Sequence, residues 1–311
     1  MKEKDGYFLG GVLISVIGAL CFSSKAIFVK LGYKFSEADA LSLLAIRMIG
    51  AAPFFAASAV YELRGSQQRK KFNLKIILQL SIIGCLGYYL ASLLDFEGLK
   101  YVSAGLERLI LFIYPTLVLL MAKVFFKRTI ERLQWFAVAI TYSGILLALT
   151  GEYNLAEEFR AAARTDLLTG TLLIMGCAVA YAGYISGSSG LIPKLGASLF
   201  NSLSMLAATI GVLTHYFLFG EQALITLSDS AWTYGLLMAI FATVIPSYLI
   251  AESIKRIGGE NTAIIASIGP VSTILMAWWW LGEPVTLWQV AGTACTLAGI
   301  WMISRSKKSI N

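Results

Sequence analysis

Long apolar runs, each separated from the next by a short polar segment, dominate this sequence. Ten of them are about 18 to 25 residues long, the length of an α-helix that spans the hydrocarbon core of a bilayer. Hydrophobic residues make up 58% of the chain and charged residues 14%, whereas soluble domains are about one quarter charged. The sequence predicts an all-α integral membrane protein, with transmembrane helices at 8–31, 40–61, 76–99, 104–125, 133–150, 168–188, 198–219, 231–254, 260–281 and 286–304.

Basic residues are unevenly distributed between these runs. If the N-terminus is cytoplasmic, seventeen Lys and Arg residues lie on the inner side, five lie at outer ends and loops, and three lie deep within spans. The positive-inside rule then predicts a multi-pass protein of the inner or plasma membrane with both termini in the cytoplasm. Orientation explains the net charge of +7, so we predict no nucleic-acid partner. The first run is too long for a signal peptide, and we expect it to be retained.

The second half of the chain repeats the first at an offset of 155 residues. Segment 99–115 aligns without a gap to segment 254–270, and the clearest pairs are Glu97 with Glu252, Lys100 with Lys255, Pro115 with Pro270, and Gly144 with Gly299. We therefore predict a five-helix repeat at 1–150, an outer loop at 151–167 and a second repeat at 168–311. Because five is odd, the second repeat would be inverted in the membrane. Inverted repeats around a central cavity are typical of secondary transporters.

These features resemble the EamA-type branch of the drug/metabolite transporter superfamily. The second half has the family's helix junction, mid-helix proline, glutamate turn and glycine-spaced last helix, at 254–258, Gly269-Pro270, Leu281-Gly-Glu283, Gly292 and Gly299. The first half matches at Leu99, Lys100, Ala104, Pro115 and Gly144 and has the family's arginine, Arg47, but carries Arg128 at the glutamate position and Ala137 at the first glycine. The resemblance implies two EamA-type repeats and the export or import of small metabolites such as amino acids. We expect export.

Charged residues within the spans are the first candidates for a site, because such charges usually face a cavity or a partner. Lys25 and Arg47 lie at similar depth, roughly 10 Å below the outer surface at 1.5 Å per residue. Two cations at one level predict a site for a substrate carboxylate or phosphate. The alternative is that each snorkels outward or pairs with Asp95, Glu97 or Glu107. Glu97 and its repeat partner Glu252 are candidates for gating or proton coupling, and the alternative for both is a helix-end carboxylate near water. For Glu107 and Arg108, at the start of the fourth helix, we expect cap or rim roles.

Tyrosines within the spans form a second group of candidates. In a cavity, Tyr88, Tyr114 and Tyr184 would bind an aromatic or amphipathic substrate, and helix packing is the alternative role for each. Pro115 and Pro270 predict matching helix kinks. The small residues of the fifth and tenth helices permit close helix approach, including a homodimer contact through these helices.

Enzyme signatures are absent from the sequence. His215 is the single histidine, which excludes HExxH zinc sites and histidine-based triads, and we predict no cofactor and no metal. The predicted function is secondary transport of a small polar or amphipathic metabolite, amino-acid-like or another organic anion, by alternating access and with a proton as the candidate coupling ion. The predicted partners are this substrate, the lipid bilayer and the proton. A membrane-embedded enzyme, a lipid-handling protein and a non-transporting scaffold are the alternatives.

Overall fold

The computed structural model describes residues 2–64, 73–126, 132–159, 162–220 and 222–306. Its regular elements in these ranges are all helical. Eight helices in these ranges are long and apolar enough to cross a membrane. We define the helical regions as α1 Lys2–Phe35, α2 Ala40–Leu63, α3 Leu74–Gly98, α4 Ala104–Leu111 with Tyr114–Phe126, α5 Arg132–Phe159, α6 Ala162–Ser188, α7 Ala197–Phe219, α8 Asp229–Gly258, α9 259–266 with Gly269–Met276 and Ala277–Leu281, and α10 Leu287–Ser306.

Local sequence explains where several helices begin. Asp39, Asn73, Ser103 and Ser228 each precede a helix in extended backbone, and each side chain accepts a hydrogen bond from a backbone N–H in the first turn. Such N-caps satisfy donors that have no partner within the helix. Membrane helices depend on them because lipid offers no substitute for a missing hydrogen bond.

Irregularities within the helices recur at the same offset as the sequence repeat. α3 contains a π-helical segment at Cys85–Leu90, and α8 contains one at Ile240–Val244. α4 is interrupted at 112–113 and α9 at 267–268, in each case just before the paired prolines Pro115 and Pro270. A proline ring removes one backbone donor and clashes with the preceding helical turn, which accounts for both interruptions.

α5 and α10 cross through small residues. A side chain at Gly144 would overlap the backbone of α10 at Gly292, and a side chain at Gly299 would overlap α5 at Ala137 and Thr141. The small residues that allow a close helix contact therefore face each other within one chain. The contacts are also reciprocal, since Gly144 and Gly299 occupy equivalent places in the two halves.

Segment 151–167 corrects one expectation. It was predicted as an outer loop, but its described positions are helical, with α5 continuing to Phe159 and α6 beginning at Ala162. The segment is rich in Ala, Leu, Glu and Arg, which are strong helix formers. Helix propensity therefore extends both helices beyond their apolar spans.

The outer surface of the bundle is apolar. Phe217, Leu218 and Phe219 on α7 are each about 70% exposed, and Trp278, Trp279 and Trp280 form an exposed group at the end of α9. Such surface is costly in water but is solvated by lipid tails. The tryptophans fit the belt that amphipathic rings form at a membrane interface.

Candidate functional site

Lys25 lies at the centre of a buried charged cluster. Its Nζ is 2.6 Å from Oδ2 of Asp95 on α3 and 3.6 Å from Oε1 of Glu107 on α4. Both carboxylates have no exposed surface, and Lys25 is 8% exposed. Apart from Lys25 and each other, these carboxylates have no polar partner among the described residues. One ammonium thus serves two acidic groups from two different helices.

Arg47 joins this region to the second half of the chain. Its Nε donates to Oγ1 of Thr243 in the π-helical segment of α8 at 2.8 Å, and its Nη1 donates to Oγ of Ser92 on α3 at 3.2 Å. The guanidinium lies 5.7 Å from the ring centre of Phe96. Arg47 is buried, its described hydrogen bonds go to hydroxyl groups, and no carboxylate among the described residues forms an ion pair with it.

Arg108 is the third buried cation. Its guanidinium lies 4.9 Å from the ring centre of Phe22 and 5.7 Å from that of Phe112. Gly269 on α9 faces it closely, since a side chain there would come within 3.3 Å of the guanidinium. Arg108 is 5% exposed, and its Nε has no hydrogen-bond partner in the described part of the chain. This arginine therefore has donor capacity that the described side chains leave unused.

Among the buried side chains that the structure describes, five are charged: Lys25, Arg47, Arg108, Asp95 and Glu107. Three are cationic and two are anionic, so the cluster carries one excess positive charge when all five are ionised. Burying an uncompensated charge is unfavourable. A bound anion with one negative charge would remove this excess.

Two of these residues were assigned differently from the sequence. Glu107 and Arg108 were expected to cap α4 or line its rim because they lie near its start. The structure begins α4 at Ala104 with Glu107 in its first turn, but Ser103 and Glu283 satisfy that end, and the side chain of Glu107 is buried beside Lys25 instead. A charged pair inside an otherwise apolar run was the signal that could have identified them.

Tyrosines pack as a continuous cluster beside the charges. Tyr184 donates to the hydroxyl of Tyr88 at 3.1 Å, and Tyr88 donates to Oδ1 of Asn201. Tyr181 stacks on Tyr184 with ring centres 5.8 Å apart and meets Tyr114 edge-on at 5.0 Å. Three of the predicted site tyrosines therefore belong to one group.

Phe112 connects this tyrosine cluster to Arg108. Its ring lies beneath the guanidinium and 6.3 Å from the ring centre of Tyr114. Gly87 permits the packing on the far side of the cluster, since any side chain there would overlap the ring of Tyr184. The guanidinium of Arg108 thus borders a surface made of aromatic rings and tyrosine hydroxyl groups.

The two carboxylates predicted from the repeat lie apart from this cluster. Glu97 accepts from Nζ of Lys100 at 2.7 Å, and Glu252 accepts from Nε of Arg256 at 2.7 Å. Their side chains are 34% and 36% exposed. Each forms a local pair on its own helix or the adjoining turn, and their role in gating or coupling stays a prediction.

Glu283, the glutamate of the turn between α9 and α10, ties the ends of several helices together. Its carboxylate accepts the backbone N–H of Ala104 at 3.0 and 3.2 Å and lies 3.2 Å from Nζ of Lys30. Next to it, Ser103 donates to Glu152 of α5. The turn glutamate therefore caps α4 and links the two halves. Its counterpart in the first half, Arg128, lies outside the described residues.

Two cavities lie away from the buried charges. One of about 880 Å³ is lined by the α1–α2 connection, from Tyr33 to Ala38, and by Gln222 and residues 226–228. The other, of about 540 Å³, is an apolar groove between α2, α3 and α7 that includes Leu63, Leu80 and Leu206. Neither is lined by a member of the charged cluster, whose five side chains are buried among the helices.

The chain is similar to known transporters along nearly its whole length. The profile of the EamA-like transporter family matches residues 9–150 and 168–305. A Bacillus subtilis (strain 168) protein described as the uncharacterized transporter YcbK is 32% identical over 287 residues, covering 91% of this chain and 88% of that protein. The uncharacterized transporter YdfC of the same organism is 26% identical, over 73% of this chain and 71% of its own.

A solved crystal structure shares the fold, with a TM-score of 0.64 over 97% of this chain and 98% of that one at 14% identity. The two matched regions correspond to the two halves of the sequence repeat. The resemblance noted from the motifs is thus confirmed, and the spanning helices make the chain a multi-pass membrane protein. This chain belongs to the EamA-like transporter family.

Proposed function

We propose that the protein is a secondary transporter, not an enzyme, that moves a small monoanionic organic metabolite across the inner or plasma membrane by alternating access. The observation that carries the proposal is the excess of one buried cation, with three basic side chains against two carboxylates. We assign the substrate anion to Arg108 and Arg47, since neither is paired with a carboxylate in the described structure. Lys25 supports the site by holding Asp95 and Glu107.

Two inverted five-helix repeats, 1–150 and 168–311, with ten spans and cytoplasmic termini, form the framework of this proposal. The reciprocal contacts of α5 and α10 support it. Gly144 meets Gly292, the equivalent of residue 137, and Gly299 meets Ala137. A higher residue number on α5 therefore contacts a lower residue number on α10. This is the contact pattern of antiparallel helices related by a two-fold axis perpendicular to both. Such an axis in the membrane plane inverts one repeat relative to the other.

Enclosure of the charges is also consistent with alternating access. A substrate reaches Arg108 only if helices separate on one side of the cluster, and it leaves only if they separate on the other. The bonds that Glu283 makes to Lys30 and Ala104 join the halves at their outer ends. Opening toward the outside would break them, so we infer that the structure is a state closed on that side.

The tyrosine cluster restricts the class of substrate. It lies beyond Phe112 from Arg108 and offers ring faces together with the hydroxyl groups of Tyr88 and Tyr184. A carboxylate at Arg108 would leave the rest of a molecule against this surface. We therefore propose an amphipathic organic anion with a ring or an apolar side chain, and export as the direction.

A charge-matched ligand series tests the proposal. Benzoate, phenylalanine, benzylamine and benzamide all contain a benzene ring. Benzoate carries one negative charge and benzylamine one positive charge. Phenylalanine has both groups ionised and no net charge, and benzamide is uncharged. Ligands that bind the native state raise its apparent stability, so purified protein is screened by thermal shift against this series and a metabolite library. Stabilisation by the anion, lost in Arg108→Gln and retained in Lys194→Gln, supports the site. Equal shifts for benzoate and benzamide would refute it.

Transport is measured in proteoliposomes with the monoanion that the library identifies. Arg47→Gln and Arg108→Gln are expected to reduce its flux at least tenfold, a loss of about 1.4 kcal/mol of binding or transition-state free energy. Wild-type flux in both variants would disprove the anion site. Conversion of the substrate without any transmembrane gradient would favour a membrane-embedded enzyme instead.

A further inference from the structure

We infer that Asp95 and Glu107 form the proton-binding site of the transporter, and that a proton is taken up when the substrate anion binds. The inference rests on the proposed function and adds its coupling ion and the residues that carry it. It departs from the sequence interpretation, which placed proton coupling at Glu97 or Glu252. The geometry of the triad Lys25, Asp95 and Glu107 is the reason for this change.

Two carboxylates from different helices share one ammonium in this triad. Nζ of Lys25 is 2.6 Å from Asp95 and 3.6 Å from Glu107, and the acidic groups are fully buried beside one another. A proton added to either carboxylate removes one negative charge and leaves Lys25 paired with the other. The cluster can therefore change its charge by one without leaving Lys25 unpaired.

Electrostatics then links the proton to the anion. An anion at Arg108, the residue next to Glu107, adds negative potential at the triad, and a nearby negative charge favours the protonated form of a carboxyl group. By thermodynamic reciprocity, a bound proton strengthens anion binding by the same factor. The sign of this coupling predicts that the proton and anion move together. A cationic substrate would instead compete with the proton.

Among the described residues, the titratable or charged groups that face the triad are two cations, a thiol and a phenol. Arg47 on α2 and Arg108 on α4 are cations, and Cys177 on α6 is a buried thiol. Tyr33 on α1 donates its hydroxyl to the carbonyl of Phe96. When the substrate binds, the negative charge added near the triad is therefore the charge of the substrate anion.

Glu97 and Glu252 lack the features that this role requires. Each is about one third exposed and pairs with basic residues nearby in the chain, Glu97 with Lys100, and Glu252 with Arg256 and Lys255. Neither has a second carboxylate beside it in the described structure. Their charge can equilibrate with water without any coupling to an anion at Arg108.

Calorimetry with benzoate as the probe tests the inference. Benzoate stays ionised from about pH 6.5 to 8.5, so its binding is measured in two buffers of different ionisation enthalpy, which reports the number of protons taken up. We expect wild-type protein to take up a fraction of one proton per benzoate and to bind more weakly as the pH rises. Asp95→Asn and Glu107→Gln should each lower the proton uptake. Asp166→Asn, which alters an exposed carboxylate, should match the wild type.

A spectroscopic measurement covers the case in which a triad variant fails to fold. Benzoate-induced infrared difference spectra of the wild-type protein should show a new protonated carboxyl band that shifts in deuterated water. Binding without proton uptake and without this band would overturn the inference and leave the proposed function standing. Absence of benzoate binding, with no other monoanion recovered from the library, would overturn both.

Discussion

Replacing Lys25 by methionine tests whether the ammonium stabilises two buried acids. The substitution preserves much of the side-chain volume but leaves Asp95 and Glu107, both fully buried, without their cation. Removing one partner of a buried ion pair typically costs about 3–5 kcal/mol, chiefly because a charge is left uncompensated. We expect Lys25→Met to lower the free energy of unfolding by about this amount.

Neutralising the whole triad should largely restore stability. In Lys25→Met/Asp95→Asn/Glu107→Gln no buried charge of the triad remains, and such replacements are often neutral or stabilising. Of the double variants, Lys25→Met with Asp95→Asn should recover more than Lys25→Met with Glu107→Gln. Coulomb energy varies inversely with distance, and the distances of 2.6 and 3.6 Å differ by a factor of about 1.4.

Equilibrium unfolding in mixed micelles, followed by tryptophan fluorescence, measures these differences. Asp166→Asn is the matched control for a carboxylate that lies at the surface. A loss below about 1 kcal/mol in Lys25→Met would refute the reasoning, because the desolvation of two unpaired carboxylates requires more. A triple variant as unstable as the single one would refute it as well, since the cost would then come from packing rather than charge.

Three further predictions concern the framework. Gly144→Leu should cost about 1–3 kcal/mol or more through overlap with α10. Gly190→Ala should be tolerated, because the nearest atom to the added carbon is the carbonyl oxygen of Gly187 at 4.0 Å; equal stability of the two variants in unfolding titrations would contradict the α5–α10 crossing. Glu283→Ala should lower stability by about 1 kcal/mol through loss of the α4 cap, and Glu283→Gln should lose less; identical melting curves would show that the cap contributes nothing. Cysteines placed at Ser228 and Lys194 should react with an impermeant reagent on intact cells only at Ser228; the reverse pattern would invert the proposed orientation.

Reading along the chain identified two of the five buried charges as site candidates, Lys25 and Arg47, because a basic residue inside an apolar run needs an explanation. It named Asp95 only as one of the alternative partners of the buried cations and did not separate it from Glu97, although the two lie two residues apart and therefore face different directions on one helix. The repeat partner of Glu97 drew attention to Glu97 rather than to Asp95, the fully buried member of the pair. Asp95 has Ile250 at its equivalent position, so the cluster breaks the symmetry of the repeat.

Glu107 and Arg108 show a second kind of limit. A position near a helix start suits a capping acid by the helix dipole, and this argument holds only where the end of the helix is otherwise unsatisfied. Here Glu283, about 180 residues further along the chain, supplies the acceptor for Ala104. No local pattern around residue 107 reports the arrival of that distant carboxylate.

Span length, apolar content, the 155-residue repeat and the basic loops are properties of the chain read in order, and they sufficed to predict a helical membrane protein of this family. Which charges meet depends on how each helix is rotated about its axis and which neighbour it packs against. A rotation of about 100° per residue turns adjacent side chains from lipid to interior without changing composition at all. For that reason only the packed helices could reveal that Lys25 holds two acids while Arg108 remains without a carboxylate partner among the described residues.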